Sequence, residues 1–316
     1  MYRYVAKRSD TVPTLQAICV SERRVRYETT EGRPRTIGPR SDRLPTATMT
    51  GLDFADIATK AATVGGATAQ EGFTADTAVE SKGEDGVPAG PADVVTEFDR
   101  EAQRQVVAVL RRHDPDASIV GEENDAEKTV PSTGRAWVID PIDGTFNFVR
   151  GIHHWTTSVA AAVDGEAAAA CSVLPALETT YHADRTDSYR NGERIHVSGR
   201  STVRSATVAP IIPPAYGHRE VYAEGLGRLF DRFGTTVRFC SAQATLALLA
   251  QGSIEAAVTP QRPNPWDSLA GVHLIRQAGG TVTDLDGERW TTESDSLAAS
   301  NGAVHDELLE VARGMR

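Results

Sequence analysis

The residues best suited to chemistry stand together in the segment 137–148, which reads WVIDPIDGTFNF. An apolar run in this segment ends at Asp140, a proline follows, and a second carboxylate, Asp143, stands three residues after the first. Gly144 and Thr145 come next and form a small turn with free backbone N–H groups. Carboxylates at a strand end can bind cations, and such a turn can bind an anion. This combination suits the movement of a phosphoryl group.

Acidic residues also stand at three other predicted element ends, namely at Asp93 and Asp99, at Glu122 and Glu123, and at Asp267. Hard divalent cations such as Mg²⁺ take oxygen ligands, commonly one or two carboxylates per ion with water and phosphate completing the set. Zinc is not indicated, because no His or Cys group has the spacing of a zinc site. The four acidic groups together therefore favour a site for hard divalent cations.

Taken singly, three of these groups also have an ordinary structural explanation. Glu122 and Glu123 could be a solvated pair, and Asp267 could cap the N-terminus of a helix. The segment from Thr96 to Asp99 could cap the helix that it begins. The segment 140–145 is different, because DPIDGT is a specific string rather than a tendency of composition.

Apolar periodicity and turn residues divide the chain into predicted elements. The predicted helices cover about 51–72, 96–112, 220–233, 242–251, 268–277 and 304–313. The predicted strands cover about 118–121, 136–140, 155–163, 167–174, 205–212, 237–239, 256–258 and 281–283. A hairpin is predicted at Asn191 and Gly192, and a loop is predicted over 75–92.

This order of elements predicts two lobes, a number that also fits a chain of 316 residues. Helices paired around antiparallel strands indicate an α+β lobe, expected over 49–199, and the alternating elements after it indicate an α/β lobe over 200–316. Residues 1–48 carry ten basic and five acidic residues and show no sustained helical period. We expect them to be an appended element, or upstream sequence included through a wrong start codon.

Composition excludes several classes of protein. The net charge of −10 argues against a nucleic-acid partner. No run approaches the roughly 18 apolar residues of a membrane helix. The first residues lack the apolar core of a signal peptide, so a cytoplasmic location is expected. Cys19, Cys171 and Cys240 form no CxxC and no disulfide framework, and they are expected to be free thiols.

The basic residues are unusual in kind, since only four of the 33 are lysine. Scarce lysine with excess Asp and Glu and many Ala and Thr resembles the proteins of salt-accumulating haloarchaea. A GC-rich genome could also favour arginine for reasons unrelated to salt. The composition predicts a halophilic protein, with that alternative open.

Taken together, the acidic strings resemble the inositol monophosphatase family, one of the Mg²⁺-dependent, lithium-sensitive sugar phosphatases, which include archaeal inositol monophosphatase/fructose-1,6-bisphosphatases. The resemblance covers about residues 51–312 in the family's order and leaves 1–48 without a counterpart. It rests on the strings at 93–99, 121–123, 137–148, 191–192, 266–271, 279–284 and 299–302. It implies an α+β fold, layered as an α/β/α/β/α sandwich with the active site between two lobes, and a homodimer.

The resemblance also implies a set of metal ligands. Glu122, Asp140 and the Ile142 carbonyl would bind one Mg²⁺, and Asp140, Asp143 and Asp267 would bind a second. A weaker third ion would lie near Glu122. This set agrees with the chemistry of a phosphate dianion, which repels attacking hydroxide unless cations neutralise it. A shared Asp140 would keep the two ions about 3.5–4 Å apart, as in-line displacement requires.

Catalytic and substrate roles follow from the same resemblance. Thr145 and Asp99 would orient and help deprotonate the attacking water, with Glu122 as a further catalytic residue. Glu123 would support the ligands from behind. The N–H groups of Gly144 and Thr145 would hold phosphate oxygens. Direct attack by water is expected because the chain has no Cys-x5-Arg or other motif for a covalent nucleophile.

Substrate specificity is less constrained. The family's sugar pocket would lie around the turn Arg238–Ala242 and before Asp267, with Ala242 and Asp267 contacting substrate. Inositol-selective members have a Glu about seven residues before that Asp, where this chain has Pro260. Arg262 could face a second phosphate, as in fructose 1,6-bisphosphate, or could be solvated.

The resemblance thus implies a phosphatase for inositol 1-phosphate, fructose 1,6-bisphosphate or both. Lys82 is a further candidate site residue, because it could match a lysine of the family. Histidinol phosphate, 3′-phosphoadenosine 5′-phosphate and NADP remain alternative substrates. A regulatory protein that binds a sugar phosphate without hydrolysing it is the alternative from another functional class.

Overall fold

The structure is a computed structural model that describes residues 53–73, 79–81, 94–123, 126–212 and 219–315. All of them belong to one unit of the chain, Thr50–Arg316. Seven α-helices lie in these residues: α1 Phe54–Gly72, α2 Glu97–His113, α3 Thr145–Phe148, α4 Arg219–Arg232, α5 Ala242–Ala250, α6 Pro265–Gln277 and α7 His305–Ala312. Short 3₁₀ turns cover Pro175–Leu177, Val203–Ser205 and Arg313–Met315.

The described strands form two large sheets and one small one. The large sheet of seven strands contains β3 Ser118–Gly121, β4 Arg135–Asp143, β5 Thr156–Val163, β6 Glu166–Leu174, β7 Thr179–Ala183, β8 Ser188–Arg190 and β9 Glu193–Ile195, in sequence order. The sheet of five contains β10 Thr207–Pro210, β11 Thr235–Thr236, β12 Ala256–Thr259, β13 Thr281–Thr283 and β14 Leu297–Ser300. The small sheet pairs β1 Val79–Ser81 with β2 Val94–Thr96.

The two large sheets differ in strand direction. In the seven-stranded sheet only β3 and β4 run parallel, and every later neighbour is antiparallel. The five-stranded sheet has the order β11-β10-β12-β14-β13, with its first three strands parallel and the other pairings antiparallel.

Helices and sheets stack in five layers. Helices α1 and α2 pack on one face of the seven-stranded sheet, and α5 and α6 pack between the two large sheets. Helices α4 and α7 cover the outer face of the five-stranded sheet. This mixed α+β sandwich confirms the predicted fold class. The predicted boundary between two lobes, at 199/200, stays a prediction.

Strand β4 shows why the central layers form. Its side chains alternate, so that Trp137 and Ile139 pack towards α1 and α2, while Val138 packs with the core around α5 and α6. All three are almost fully buried. A strand covered by helices on both faces reads as a continuous apolar run, and that run carries Asp140 into the interior.

Helices α1 and α2, which form one of the two outer layers, pack closely against each other. Gly65 of α1 lies so near α2 that an added Cβ would stand 2.4 Å from Val106. Helix α2 begins with a capping box, in which Thr96 and Asp99 satisfy each other's backbone N–H groups. The predicted cap at Thr96–Asp99 is therefore present, and it fixes the orientation of Asp99.

Three predicted elements differ from the structure. The strand predicted over 136–140 continues to Asp143. The strand predicted over 237–239 is replaced by the two-residue β11 before it, because the chain turns away to reach α3. Helix α6 begins at Pro265, which suits the first position of a helix. Asp267 therefore lies inside the first turn of α6, and the interpretation of Asp267 as the N-cap is wrong.

Several predictions concern residues outside the described ranges. The predicted loop over 75–92 contains the short strand β1, and the rest of it, with Lys82, lies outside the described residues. Residues 1–48 and Cys19 also lie outside them. Cys171 and Cys240 are free thiols, as expected. Among the described helices, none is long and apolar enough to cross a bilayer.

Candidate active site

Asp140 and Asp143 reach the same cavity because β4 is irregular between them. Residues three apart in a regular strand point to opposite faces. Here Asp140 pairs with Ser158 and Asp143 pairs with Thr156, so the register shifts within the segment that contains Pro141. Proline cannot donate a ladder hydrogen bond, which favours such an irregularity. Both aspartates are buried, with 1% and 6% of their surface exposed.

The third aspartate, Asp267, lies in the first turn of α6. Asn264 lies at the N-cap position, and its side-chain amide donates to Oδ2 of Asp267 at 2.9 Å. One carboxylate oxygen from each of Asp140, Asp143 and Asp267 can be chosen so that all three lie within 4.8 Å of one another. Three oxygen donors at this separation form the donor set that Mg²⁺ and similar hard cations bind.

Hydrogen bonds from the start of α5 hold Asp143 in place. The hydroxyl of Ser241 and the N–H of Gln243 donate to its Oδ2, the latter at 2.7 Å, and the N–H of Ala242 donates to Oδ1 at 3.1 Å. Burial raises the pKa of Asp143 to about 6, and these hydrogen bonds oppose that rise. The carboxylate keeps further lone pairs for a cation, since its two oxygens offer about four acceptor sites.

Gln243 connects this ligand to α6. Its side-chain amide donates to the carbonyl of Trp266 at 2.5 Å and accepts from the N–H of Gly271 at 2.8 Å. The residue is fully buried. A single side chain thus ties the backbone beside Asp143 to the backbone beside Asp267. Sequence reasoning did not identify Gln243.

The acidic pair after β3 divides between two environments. Glu122 lines the cavity with the three aspartates, whereas Glu123 is buried beside it. Gln103 of α2 fixes this turn, because its amide donates to the Glu123 carbonyl at 2.5 Å and accepts from the Glu123 N–H at 3.0 Å. The interpretation of the pair as solvated is therefore wrong for Glu123.

Thr145 lines the same cavity and contacts Asp99, which is fully buried. The Thr145 hydroxyl lies 3.0 Å from the Ile142 carbonyl oxygen and 3.4 Å from Oδ1 of Asp99. The other carboxylate oxygen of Asp99 accepts from the Thr96 N–H and hydroxyl, at 2.8 and 2.6 Å. Burial raises the pKa of Asp99 to about 7, and the bonds from Thr96 oppose that rise. Such a carboxylate can exchange a proton near neutral pH.

Gly144 connects β4 to α3 in a conformation that favours glycine, with φ of +93°. An added Cβ would lie 3.0 Å from Ser241 and 3.2 Å from the carbonyl oxygens of Cys240 and His154. Asn147 joins the same segments, because its amide donates to the carbonyls of His154 and Phe239 at 2.5 and 2.7 Å. The turn after Asp143 is therefore held against the nearby residue His154 and against the segment 239–241, which is distant in sequence.

The cavity itself has a volume of about 190 Å³. The predicted residues that line it are Glu122, Asp140, Ile142, Asp143, Gly144, Thr145, Ala242 and Asp267. Arg238 and Cys240 of the predicted sugar-pocket turn line it as well, and Phe146, Ile211 and Ile212 were not predicted. The two isoleucines follow β10, and strand ends of this kind commonly carry ligand contacts.

Arg262 does not line this cavity. Its guanidinium donates to the carbonyl of Thr292 at 3.2 Å and pairs with the carboxylate of Glu293. The structure therefore brings together the predicted metal ligands and the Thr145–Asp99 pair, and it places Arg262 elsewhere.

Comparison with known proteins decides the family. The model of the inositol monophosphatase family matches residues 52–315. The chain belongs to the inositol monophosphatase family. It is accordingly a phosphoric monoester hydrolase, which confirms the predicted class of enzyme.

Individual members of the inositol monophosphatase family are also similar. A fructose-1,6-bisphosphatase/inositol-1-monophosphatase of Thermotoga maritima is 37% identical, over 70% of this chain and 83% of its own length. An inositol-1-monophosphatase of Rhizobium meliloti is 33% identical, over 70% and 84%. The solved structure of the Thermotoga maritima IMPase has a TM-score of 0.74 and 32% identity, covering 84% of this chain and 98% of that one.

Enzymes of the inositol monophosphatase family are generally metal-dependent, and the donor chemistry here fits a metal. The aspartate oxygens described above lie together, and no lysine lines the cavity within the described residues. Asp140, Asp143 and Asp267 are the group of carboxylates that could hold an ion between them.

Proposed function

We propose that this protein is a Mg²⁺-dependent phosphatase of small sugar or polyol phosphates, with inositol 1-phosphate, fructose 1,6-bisphosphate or both as substrates. The observation that carries the proposal is the meeting of three aspartate oxygens within 4.8 Å in a cavity that Thr145 also lines. Family membership supports the reaction class, and the names of the relatives support the substrate class.

Different residues of the chain would hold the cations, activate the attacking water and contact the substrate. Bound cations would neutralise the phosphate and make water more acidic. Asp140, Asp143, Asp267 and Glu122 would hold those cations in fixed positions. Thr145 would accept a hydrogen bond from the attacking water and donate to Asp99, whose raised pKa suits it to take up the proton. Gly144 and Thr145 would offer backbone N–H groups to the phosphate oxygens, and Ala242 and Asp267 would contact the sugar.

Phosphate release from a substrate panel tests this proposal. The panel contains inositol 1-phosphate, fructose 1,6-bisphosphate, histidinol phosphate, 3′-phosphoadenosine 5′-phosphate and NADP, each with Mg²⁺ or with EDTA. We expect Mg²⁺-dependent release from the first two and the highest kcat/KM for one of them. Binding of these compounds without release from any of the five would favour the regulatory sugar-phosphate-binding protein instead.

Asp143→Asn tests the metal ligands directly. Removing one negative charge from the donor set should weaken cation binding and lower kcat by at least about 100-fold. Mg²⁺ should also lose most of its stabilising effect in thermal melts of the variant. Asp116→Asn, on an exposed surface carboxylate, is the control and should behave like the wild type. Near-normal turnover in Asp143→Asn would contradict the assignment.

Several finer expectations belong to the same proposal. A cytoplasmic homodimer from a haloarchaeon is expected, with two or three Mg²⁺ per active site. Composition supports the halophilic part, and the family resemblance supports the dimer. Light scattering at several KCl concentrations would measure the molecular mass, and a monomer at all of them would contradict the dimer.

A further inference from the structure

Lys128 lies between the two chain segments that carry Glu122 and Asp267. Its ammonium donates to the carbonyls of Gly121 and Glu122, at 2.9 and 3.0 Å. The same ammonium lies 5.3 Å from the ring centroid of Trp266, the residue before Asp267. One side chain therefore joins the end of β3 to the first turn of α6.

The backbone that leads to Lys128 is held against β3. The N–H of Glu127 donates to the Ile119 carbonyl at 3.0 Å, and the Glu127 carbonyl accepts from the Gly121 N–H at 3.1 Å. The base of the lysine side chain is therefore fixed. This leaves less conformational freedom to be lost when the ammonium is held in one place.

Trp266 provides a fixed surface on the other side of the ammonium. Its side chain is 9% exposed and belongs to the core around α5 and α6. The Trp266 carbonyl accepts from the side chain of Gln243, whose N–H donates to Asp143. Cations are attracted to the face of an aromatic ring, and indole attracts them most strongly. Lys128 therefore contacts a part of the molecule that already positions metal-ligand candidates.

These contacts place Lys128 behind the cavity wall. Glu122 and Asp267 line the cavity, whereas Lys128 does not. Two of the three N–H donors of the ammonium are used by carbonyls, and the Trp266 ring lies on a further side. The ammonium is thus suited to hold the backbone beside Glu122 and not to bind substrate.

We propose that Lys128 is a positioning residue that fixes Glu122 relative to Asp267 and so raises the affinity of the cavity for divalent cations. The inference rests on the proposed phosphatase function, in which these two carboxylates help to hold the cations. Ligands that are in place before an ion arrives lose less conformational freedom when it binds.

The positive charge of Lys128 would affect cations in the opposite direction. An ammonium near a cation site repels the ion, so removal of the charge alone would strengthen cation binding. The sign of the change in a Lys128 variant therefore separates positioning from simple repulsion.

Lys128→Met tests the inference at nearly the same side-chain length. The dissociation constant of Mg²⁺ is measured by calorimetry without substrate, and the Mg²⁺ concentration for half-maximal phosphate release is measured with the best substrate of the panel. We expect both to rise about 3- to 10-fold. This is less than the 10- to 100-fold loss typical of groups that bond a ligand side chain directly, because Lys128 acts through the backbone.

Other measurements show whether the effect is specific to cation binding. The KM for the substrate at saturating Mg²⁺ and the melting temperature in EDTA should stay close to the wild-type values in Lys128→Met. Lys60→Met is the matched control, since Lys60 is about half exposed and pairs with Asp56 within α1. This control should leave Mg²⁺ affinity unchanged.

Two further variants identify the contacts responsible. Lys128→Arg should keep most of the wild-type Mg²⁺ affinity, because a guanidinium can donate to both carbonyls and stack on the indole ring. In a Trp266→Leu background, Lys128→Met should have a smaller effect than in the wild type, because one of its contacts is already lost. Trp266→Phe replaces Trp266→Leu if the leucine variant does not fold.

Unchanged or stronger Mg²⁺ binding in Lys128→Met would overturn the inference, as would fully additive effects of the lysine and tryptophan substitutions. Either result leaves the phosphatase function intact if phosphate is still released. Absence of phosphate release by the wild type would instead contradict the phosphatase function, and calorimetry with Mg²⁺ would still report on Lys128.

Discussion

The carboxylate of Asp99 has two roles, one for each of its oxygen atoms. One oxygen caps α2 through Thr96, and the other faces Thr145. The carboxylate is fully buried, and burial is the main reason why the pKa of Asp99 rises to about 7. The residue that completes the helix cap is therefore also a group that can accept a proton near neutral pH.

This raised pKa predicts a pH-dependent stability difference for Asp99→Asn in EDTA. Between the unfolded pKa of about 3.9 and the folded value near 7, the folded wild type holds a proton that the unfolded chain has lost. Raising the pH from 5 to 8 thus destabilises the wild type relative to the variant, by about 3 kcal/mol at most. Thermal melts of both proteins at each pH measure the difference, and a constant difference would contradict the pKa.

Cys240, like Gly144, has a positive φ at the site. Its φ of +59° lies in the left-handed region, where a side chain costs about 1–2 kcal/mol. Cys240→Gly should therefore raise the free energy of unfolding by about 1 kcal/mol relative to Cys240→Ala, which keeps the Cβ. Urea unfolding measures both variants. Equal stability would mean that the backbone here is not strained.

At the scale of elements, the site depends on how α5 and α6 are joined. Gln243 makes this connection through the Trp266 carbonyl and the Gly271 N–H. A buried donor or acceptor that loses its partner costs about 1–3 kcal/mol. The position of Asp267 relative to Asp143 should therefore depend on a side chain that would contact neither metal nor substrate.

Gln243→Met tests this dependence at nearly constant volume. We expect a loss of about 2–4 kcal/mol in stability and an increase of at least about 5-fold in the Mg²⁺ concentration that gives half-maximal activity. Mg²⁺ should also stabilise the variant less in thermal melts. Gln277→Met, at the other end of α6, is the control. An unchanged Mg²⁺ requirement in Gln243→Met would mean that Gln243 contributes to stability but does not position the metal ligands.

The elements show what the sequence could and could not predict. The string at 140–145 predicted the turn that brings Asp143, Gly144 and Thr145 to one cavity, because these residues are adjacent in sequence, but the strand continues to Asp143 instead of ending at Asp140. The strand predicted over 237–239 is instead β11 at Thr235–Thr236, and the Phe239 carbonyl accepts a hydrogen bond from Asn147, which is far away in sequence. Gln103 and Gln243 were missed for the same reason, since an amide in a helix has no local signal for a partner in another element.

At the scale of the whole molecule, the main prediction concerns the effect of net charge on stability in salt. A net charge of −10 opposes compact structure through repulsion, and salt screens that repulsion. If the protein is halophilic, the midpoint of urea unfolding at pH 7 should rise by at least about 1 M between 0.1 and 3 M KCl. The rise should shrink near pH 5.3, the isoelectric point of the sequence. Equal stability at both KCl concentrations would contradict the halophilic interpretation.

The separation in sequence of the three aspartates has a consequence for synthesis. The bond from the Gln243 N–H to Asp143 already spans 100 positions of the chain, and Asp267 follows later still. At about 5–20 residues per second, a ribosome needs on the order of 10 s to travel from Asp140 to Asp267. Throughout that interval Asp140 and Asp143 lack the third aspartate of their cluster. The ion site that uses Asp267 can therefore form only after α6 has been translated and has docked.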